Sequence, residues 1–290
     1  MSALRLRQLS VARIETRTGS PESCPRAPEC GVAGYLLDNQ QPEAGTRFDA
    51  LSSLFDPSTF RHVEALGIAE GWRCWEVGAG GPSVPSWLAT RVGAAGHVLA
   101  TDIDVSWMTD APFEVRRHDV GAEPPPGDGF DLVHARLVLV HVPQRAAALA
   151  AMIEALRPGG RLLLEEADPA LQPLVCPDES GPAQRLANKL KRDFRTLMAG
   201  RGVDLAYGRT LPRLLHSAGL VEVGADAYFP MSGPACTHLE LATVAQIRDR
   251  LVAAGLATDD EIDEHLGNVA SGRLDLATSP MISAWGRKPA

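Results

Sequence analysis

The sequence predicts an α/β protein built on a doubly wound, mostly parallel sheet with helices on both faces. Three observations carry that reading. Short apolar runs alternate with helical stretches from Arg73 to Glu166, and parallel neighbours need such crossover helices. The first of those runs ends in Gly78-Ala79-Gly80-Gly81, a turn that feeds directly into a helix. Finally, 290 residues with 45% hydrophobic and 22% charged side chains supply an ordinary globular core.

Residues 1–31 are rich in Arg, Pro, Ser and Gly without a sustained period, and read as a mobile tail. Phe48, Leu51, Leu54 and Phe55 then recur at helical spacing. Pro57 interrupts the stripe and Phe60, Val63 and Leu66 resume it, so two short helices are expected. Strands follow at Arg73–Val77, His97–Asp102, Glu114–Arg117, Phe130–Arg136 and Arg161–Glu166, with helices at Val84–Val92 and Arg145–Leu156. After Asp168 the rhythm breaks. Helices are expected at Ala183–Ala199, Leu211–Ala218, Leu239–Leu251 and Asp260–Val269, and strands at Glu222–Phe229 and Pro280–Gly286.

Composition narrows the function. Lys and Arg total 28 against 36 Asp and Glu, a net charge of −8, whereas phosphate binding calls for a concentrated basic surface. Nucleic acid is therefore excluded as a partner. No apolar run reaches the roughly 18 residues of a membrane span. The Arg-broken N-terminus does not read as a signal peptide. Five cysteines form no CxxC pair, and His and acidic residues follow no dense ligand spacing, so no metal is expected. The expected setting is the reducing cytoplasm.

The chemistry gathers at Glu76-Val77-Gly78-Ala79-Gly80-Gly81-Pro82-Ser83. A strand that runs through GxG into a helix places backbone N–H groups beside a ligand, and glycine lets that ligand approach closely. Dinucleotides and S-adenosylmethionine both use such a loop. A dinucleotide fingerprint wants glycine where this chain has Ser83. Glu76, two residues before the first glycine, suits a ligand carrying an ammonium group better than a pyrophosphate. Asp102 ends the second strand about two dozen residues beyond Gly78 and is placed to accept two ribose hydroxyls. Asp104 is the alternative for that role, and a helix cap is the plainer reading of Asp102. Asp119 stands past the third strand, as a partner for an adenine amine or as a turn residue.

Taken in order, Glu76-Val77-Gly78-Ala79-Gly80, Val98–Asp102, His118-Asp119, Phe130–Val133 and Leu156–Gly160 resemble the motif series of class I S-adenosylmethionine-dependent methyltransferases of the bacterial small-molecule type. The resemblance covers Tyr35 to Asp168 well and the rest loosely. Pro82 departs from it, standing where that family often has a third glycine, and it brings no N–H. The resemblance implies seven strands with the last antiparallel. It also implies S-adenosyl-L-methionine as cofactor, held by Glu76, Gly78, Gly80, Asp102 and Asp119, with the backbone near His134 at the methionine end.

Methyl transfer from a sulfonium chiefly needs alignment and exclusion of water. A base is needed only where the acceptor must lose a proton. His141, just before Val142-Pro143, stands at the mouth of the sheet and is the candidate catalytic base, against a loop histidine bonded to a carbonyl. His134 is placed closer to the cofactor, as a binding residue. Tyr35 and Arg47 lie where the N-terminal segment folds over the cofactor, and either suits the methionine carboxylate; Arg47 could instead pair with Glu43. Arg136 is free to orient a carboxylate or to pair with Glu166. Glu165, Glu166 and Asp168 end the fifth strand at the carboxyl edge, where ligands bind in open sheets; the plainer reading is a solvated, loop-capping cluster. Phe194, Tyr207, Phe229 and Met231 are the residues expected nearest the acceptor.

The organisation that follows is a tail at 1–34, an N-terminal helical segment of a cap at 35–66, a cofactor-binding core at 67–168, and the rest of the sheet with inserted cap helices at 169–290. The expected partner is a small-molecule methyl acceptor with an O, N or C nucleophile, in specialised metabolism, with the chain a monomer or homodimer. Two other functions compete: an NAD(P)-linked oxidoreductase, and a methyltransferase-fold protein without methylating activity.

Overall fold

The computed structural model describes Leu37 and residues 43–290; the expectations for the tail at 1–34 and for Tyr35 lie outside them. Its elements are α1 (Glu43–Ala65), β1 (Arg73–Val77), α2 (Ser83–Val92), β2 (His97–Asp102), β3 (Glu114–Arg117), β4 (Phe130–Arg136), α3 (Arg145–Ala155) and β5 (Leu156–Ala167). They continue as α4 (Pro182–Gly200), α5 (Leu211–Ser217), β6 (Val221–Tyr228), α6 (Pro234–Ala253), α7 (Asp259–Ala270) and β7 (Met281–Arg287). The seven strands form one sheet in the order β3-β2-β1-β4-β5-β7-β6. Pairing is parallel from β3 to β5, and β7 runs antiparallel to both β5 and β6.

Period-2 alternation sends successive side chains of each strand to opposite faces. On one face Trp75, Val77, Val133, Ala135, Leu162 and Leu164 meet α3 and α5. On the other, Cys74, Leu132 and Leu163 meet Val63 of α1 and Leu88 of α2. The strand order reverses between β1 and β4, so the loops after those strands diverge and open a crevice at the carboxyl edge.

Three expectations change. The N-terminal helical stretch is one helix: Pro57 sits inside α1, which continues through it. Proline costs one backbone hydrogen bond, but Leu54, Phe55, Thr59, His62 and Val63 bury a single stripe across the proline and hold the two halves in line. Strand β5 begins at Leu156, ahead of the Pro-Gly-Gly turn, because Gly159 N–H donates to the Lys288 carbonyl and Lys288 N–H to Gly160. Helix α6 starts at Pro234, five residues before the expected Leu239, with proline accommodated in its first turn where no N–H partner is needed.

The late helices form a body of their own. Leu190 and Met198 of α4, Val244, Ile247 and Leu251 of α6 and Ile262 of α7 share one apolar cluster. A second cluster ties this body to α1 through Leu54 and Phe55, and to Leu137, the residue after β4. The helices therefore cap the carboxyl edge. No helix among the described residues is long and apolar enough to cross a membrane.

Candidate active site

The glycine turn after β1 is fixed from several sides. Ala79 N–H donates to the Thr101 carbonyl at 3.0 Å, and Gly80 N–H to Asp102 Oδ2 at 2.9 Å. The other Asp102 oxygen takes the Asp104 N–H at 3.0 Å. Burial moves the Asp102 carboxyl above its ordinary range despite these bonds. Gly78 and Gly80 have φ of +61° and +63°, which L side chains rarely adopt. A Cβ on Gly78 would run into the Val138 side chain, and one on Gly80 would lie 2.9 Å from Phe48 Cε1. No side chain caps the first turn of α2, which opens at Pro82.

Helix α1 brings Arg47 and Phe48 over this turn. Arg47 is buried, with its guanidinium 4.9 Å from the Phe48 ring centre, and Trp107 meets Phe48 edge-on at 6.0 Å. The Glu43 side chain lies outside the described residues. Beyond β4 the chain turns at Leu137, left-handed with φ +60°, and winds a short 3-10 turn over Leu139–His141. His141 is held down to about 4 by burial and by the Arg47 and Arg145 charges, so its imidazole is neutral at physiological pH. Arg47, far from His141 in sequence, lies near enough for its charge to act on that imidazole.

Glu76, His134 and Glu165 stand side by side on the face under α1. His134 donates from Nδ1 to Glu76 Oε2 at 2.7 Å, and its Nε2 lies 3.3 Å from Glu165 Oε2. Glu165 also accepts from Thr59 and from Ser283, the latter at 2.6 Å. His62 Nδ1 lies 3.4 Å from Glu165 Oε1, and its Nε2 lies 2.9 Å from Asp226. The His134 side chain is fully buried behind Glu76. Register is the reason, since His134 pairs directly with Glu76 across β1 and β4 and both point under α1.

Other placements differ from those expected. Arg136 pairs with Asp56 at 2.9 Å and donates to Thr59, on the face opposite Glu166. Glu166 is buried rather than solvated. One of its oxygens takes the N–H groups of Val138, Leu139 and Val140, and burial pushes its carboxyl up to about 8. Asp168 is buried too, and Arg209 grips both of its oxygens. Asp119 is exposed, and its Oδ1 accepts the Gly121 N–H, the geometry of a turn residue. Tyr207 belongs to the core on the α3–α5 face, away from the cap. Phe194 is packed inside the cap, while Phe229 and Met231 are exposed.

Sequence reading missed His62, Thr59, Ser283 and Asp226 altogether. His62 and Thr59 carry the one available signal, polar residues on the buried stripe of an otherwise amphipathic helix. Among the described residues no group of His, Cys, Asp and Glu is arranged to hold a metal ion.

Comparison with known proteins shows the family. Residues 45–225 match the family described as "Methyltransferase domain". The ubiquinone/menaquinone biosynthesis C-methyltransferase UbiE of Vibrio parahaemolyticus is 32% identical over 124 residues, which is 39% of this chain and 48% of that protein. The chain thus spans about half the length of that relative. The methyltransferase str2 of Strobilurus tenacellus is 29% identical over 65% of this chain and 68% of its own. Among solved structures, the YcgJ protein of Bacillus subtilis superposes with a TM-score of 0.52 at 14% identity, covering 81% of this chain and 99% of that one. A phosphoethanolamine N-methyltransferase of Haemonchus contortus gives 0.50 at 14% identity, covering 88% of this chain and 59% of that one. At such identities the two structures speak for the fold alone.

Proposed function

The chain belongs to the methyltransferase domain family, in its class I S-adenosylmethionine-dependent form, and from that premise we propose that it methylates an oxygen, nitrogen or carbon nucleophile of a small molecule. The observation that carries the reading is the carboxyl edge itself. There the Gly78–Gly81 turn, locked by Asp102, leads into α2, whose Pro82 cap makes no side-chain hydrogen bond, and is covered by Phe48 and Val138, with Arg47 on the Phe48 ring.

The residues present fit the cofactor. Glycines without Cβ admit close approach, the Asp102 carboxylate is an acceptor of the right kind for ribose hydroxyls, and Glu76 is an anion suited to an ammonium. Arg47 offers a cation to the methionine carboxylate. When bound, S-adenosylmethionine supplies a methyl group already activated by a positively charged sulfur. The chain's own task is to hold the acceptor in line with that methyl and to keep water out. Arg47, Phe48 and the cap helices perform the covering. A neutral His141 takes the proton of an acceptor that must lose one, and its low pKa makes it a weak but available base.

The named carbon chemistry of the Vibrio relative keeps carbon among the candidate acceptor atoms. Specialised metabolism and a cytoplasmic location complete the reading. Calorimetric titration with S-adenosylmethionine, S-adenosylhomocysteine and NADPH tests the cofactor, and isotopic methyl transfer across an acceptor panel tests the reaction. Tighter binding of NADPH would overturn the proposal. Cofactor binding with no methylated product from any acceptor would favour a non-methylating protein on the same fold.

A further inference from the structure

We propose that His134 is a positioning residue that holds the Glu76 carboxyl in place for the ammonium end of the cofactor's methionine moiety. The inference rests on the reading of the chain as an S-adenosylmethionine binder and assigns a residue to one end of that site.

Glu76 lies two positions before Gly78, at the crevice end of a row of side chains that crosses the sheet. From β1 the row passes to His134 on β4, Glu165 on β5, His62 on α1 and Asp226 on β6, with neighbouring contacts of 2.7, 3.3, 3.4 and 2.9 Å. Glu76, His134, Glu165 and His62 are all 3% exposed or less, and Asp226 alone reaches the surface. Thr59 and Ser283 hold Glu165 from two further sides.

A row of this kind is a poor device for stability. Burying ions costs several kcal/mol each, and a well-packed apolar set of the same volume commonly does as well. What the row sets is the placement of Glu76 and Glu165 on either side of one imidazole. Burial by itself would strip the proton from His134, but Glu76 and Glu165 outweigh it and raise the imidazole to about 9. Glu165 is held well below the ordinary carboxylate range: burial raises it, and His134, His62 and Arg136 more than offset that. Two carboxylates therefore share the His134 cation. Without it, two buried carboxylates would face each other across β4 with nothing between them to draw them together. Glu165 keeps Thr59, Ser283 and His62 as partners, whereas Glu76 loses the 2.7 Å contact that holds its carboxyl.

The test separates the amino-acid end of the ligand from its nucleoside. S-adenosylhomocysteine carries the ammonium, and 5′-methylthioadenosine lacks the amino-acid portion. Calorimetry with both ligands is run on the wild-type chain, His134→Gln and His134→Leu. Losing a charge-assisted contact corresponds to about tenfold or more in affinity, so S-adenosylhomocysteine is expected to weaken by at least about tenfold while 5′-methylthioadenosine stays within about twofold. Equal losses for the two ligands would mark a purely structural role and overturn the proposal, as would no loss for either. Failure of both variants to fold would assign His134 to the core and also overturn it. If the wild-type chain binds neither ligand, the cofactor reading itself falls, a result that needs no variant.

Discussion

Asp102 shows how one carboxylate can serve both structure and binding. It holds Gly80 and Asp104 by their N–H groups, with Ile103 as a further backbone donor, and a carboxylate has about four acceptor positions, so capacity remains for a ribose hydroxyl. Asp102→Ala should weaken S-adenosylhomocysteine binding by about 1–3 kcal/mol and also loosen the glycine turn. Unchanged calorimetric affinity in a folded variant would move the ribose contact to Asp104. Gly78 makes a second case, because its φ of +61° and the Val138 side chain both exclude a Cβ. Gly78→Ala should lower stability by about 1–3 kcal/mol, and a Val138→Ala background should recover part of that in denaturant melts. No recovery would mean that backbone strain alone decides the cost. These residues were legible in the sequence because a strand end, a GxG turn and the next strand's acid have local signatures. The row behind Glu76 was not legible. It depends on the register of β1, β4 and β5 and on which turn of α1 lies above them, and those are long-range facts.

Strand β5 and the loop after β4 form the element whose behaviour depends most on pH. Adjacent residues on a strand point to opposite faces, so Glu165 goes under α1 while Glu166 reaches the N–H groups of Val138, Leu139 and Val140 on the other side. Read along the sequence the three acids look like one solvated cluster; the alternation and the covering helices make them three separate buried anchors. Glu166 titrates at about 8 in the fold, above the unfolded value of about 4.3. Its contribution is therefore fully present below about pH 4 and is lost as pH rises through 8. His134, raised to about 9 from 6.5, has the same sign: its contribution is present below 6.5 and lost toward 9. Glu165, depressed, acts the other way, and its contribution is lost only as pH falls below the ordinary carboxylate range. Melting temperature should accordingly decline between about pH 5 and 9. Glu166→Gln should flatten the part below 8, since an amide oxygen still accepts the loop N–H groups but does not titrate. An undiminished slope in that variant would show that Glu166 is not the titrating group.

At the scale of the whole molecule the question is what the late helices are for. The sheet is complete without α4, α6 and α7, and the sequence marks them as insertions with apolar stripes to bury. It does not say which side chains meet the acceptor, because that depends on how the helices dock, and Tyr207 went to the opposite face for that reason. The docking has a consequence for binding. Leu54 and Phe55 of α1 share a cluster with Cys236 of α6, Ala187 of α4 and Leu137 at the crevice. The same helix α1 carries Phe48 over Gly80. A ligand on the glycine turn therefore presses on Phe48, and any adjustment of α1 reaches α6 through packed side chains, which shift between discrete arrangements rather than deform continuously. Lids that close in this way commonly exclude water from transfer reactions. Hydrogen exchange with S-adenosylhomocysteine should thus slow the amides of the Gly78 turn, of α1 and of α6 together, while α5, on the opposite face of the sheet, should change little. Protection confined to the glycine turn would leave the helices as a static layer, and the closing cap would have to be abandoned even though the cofactor site stood.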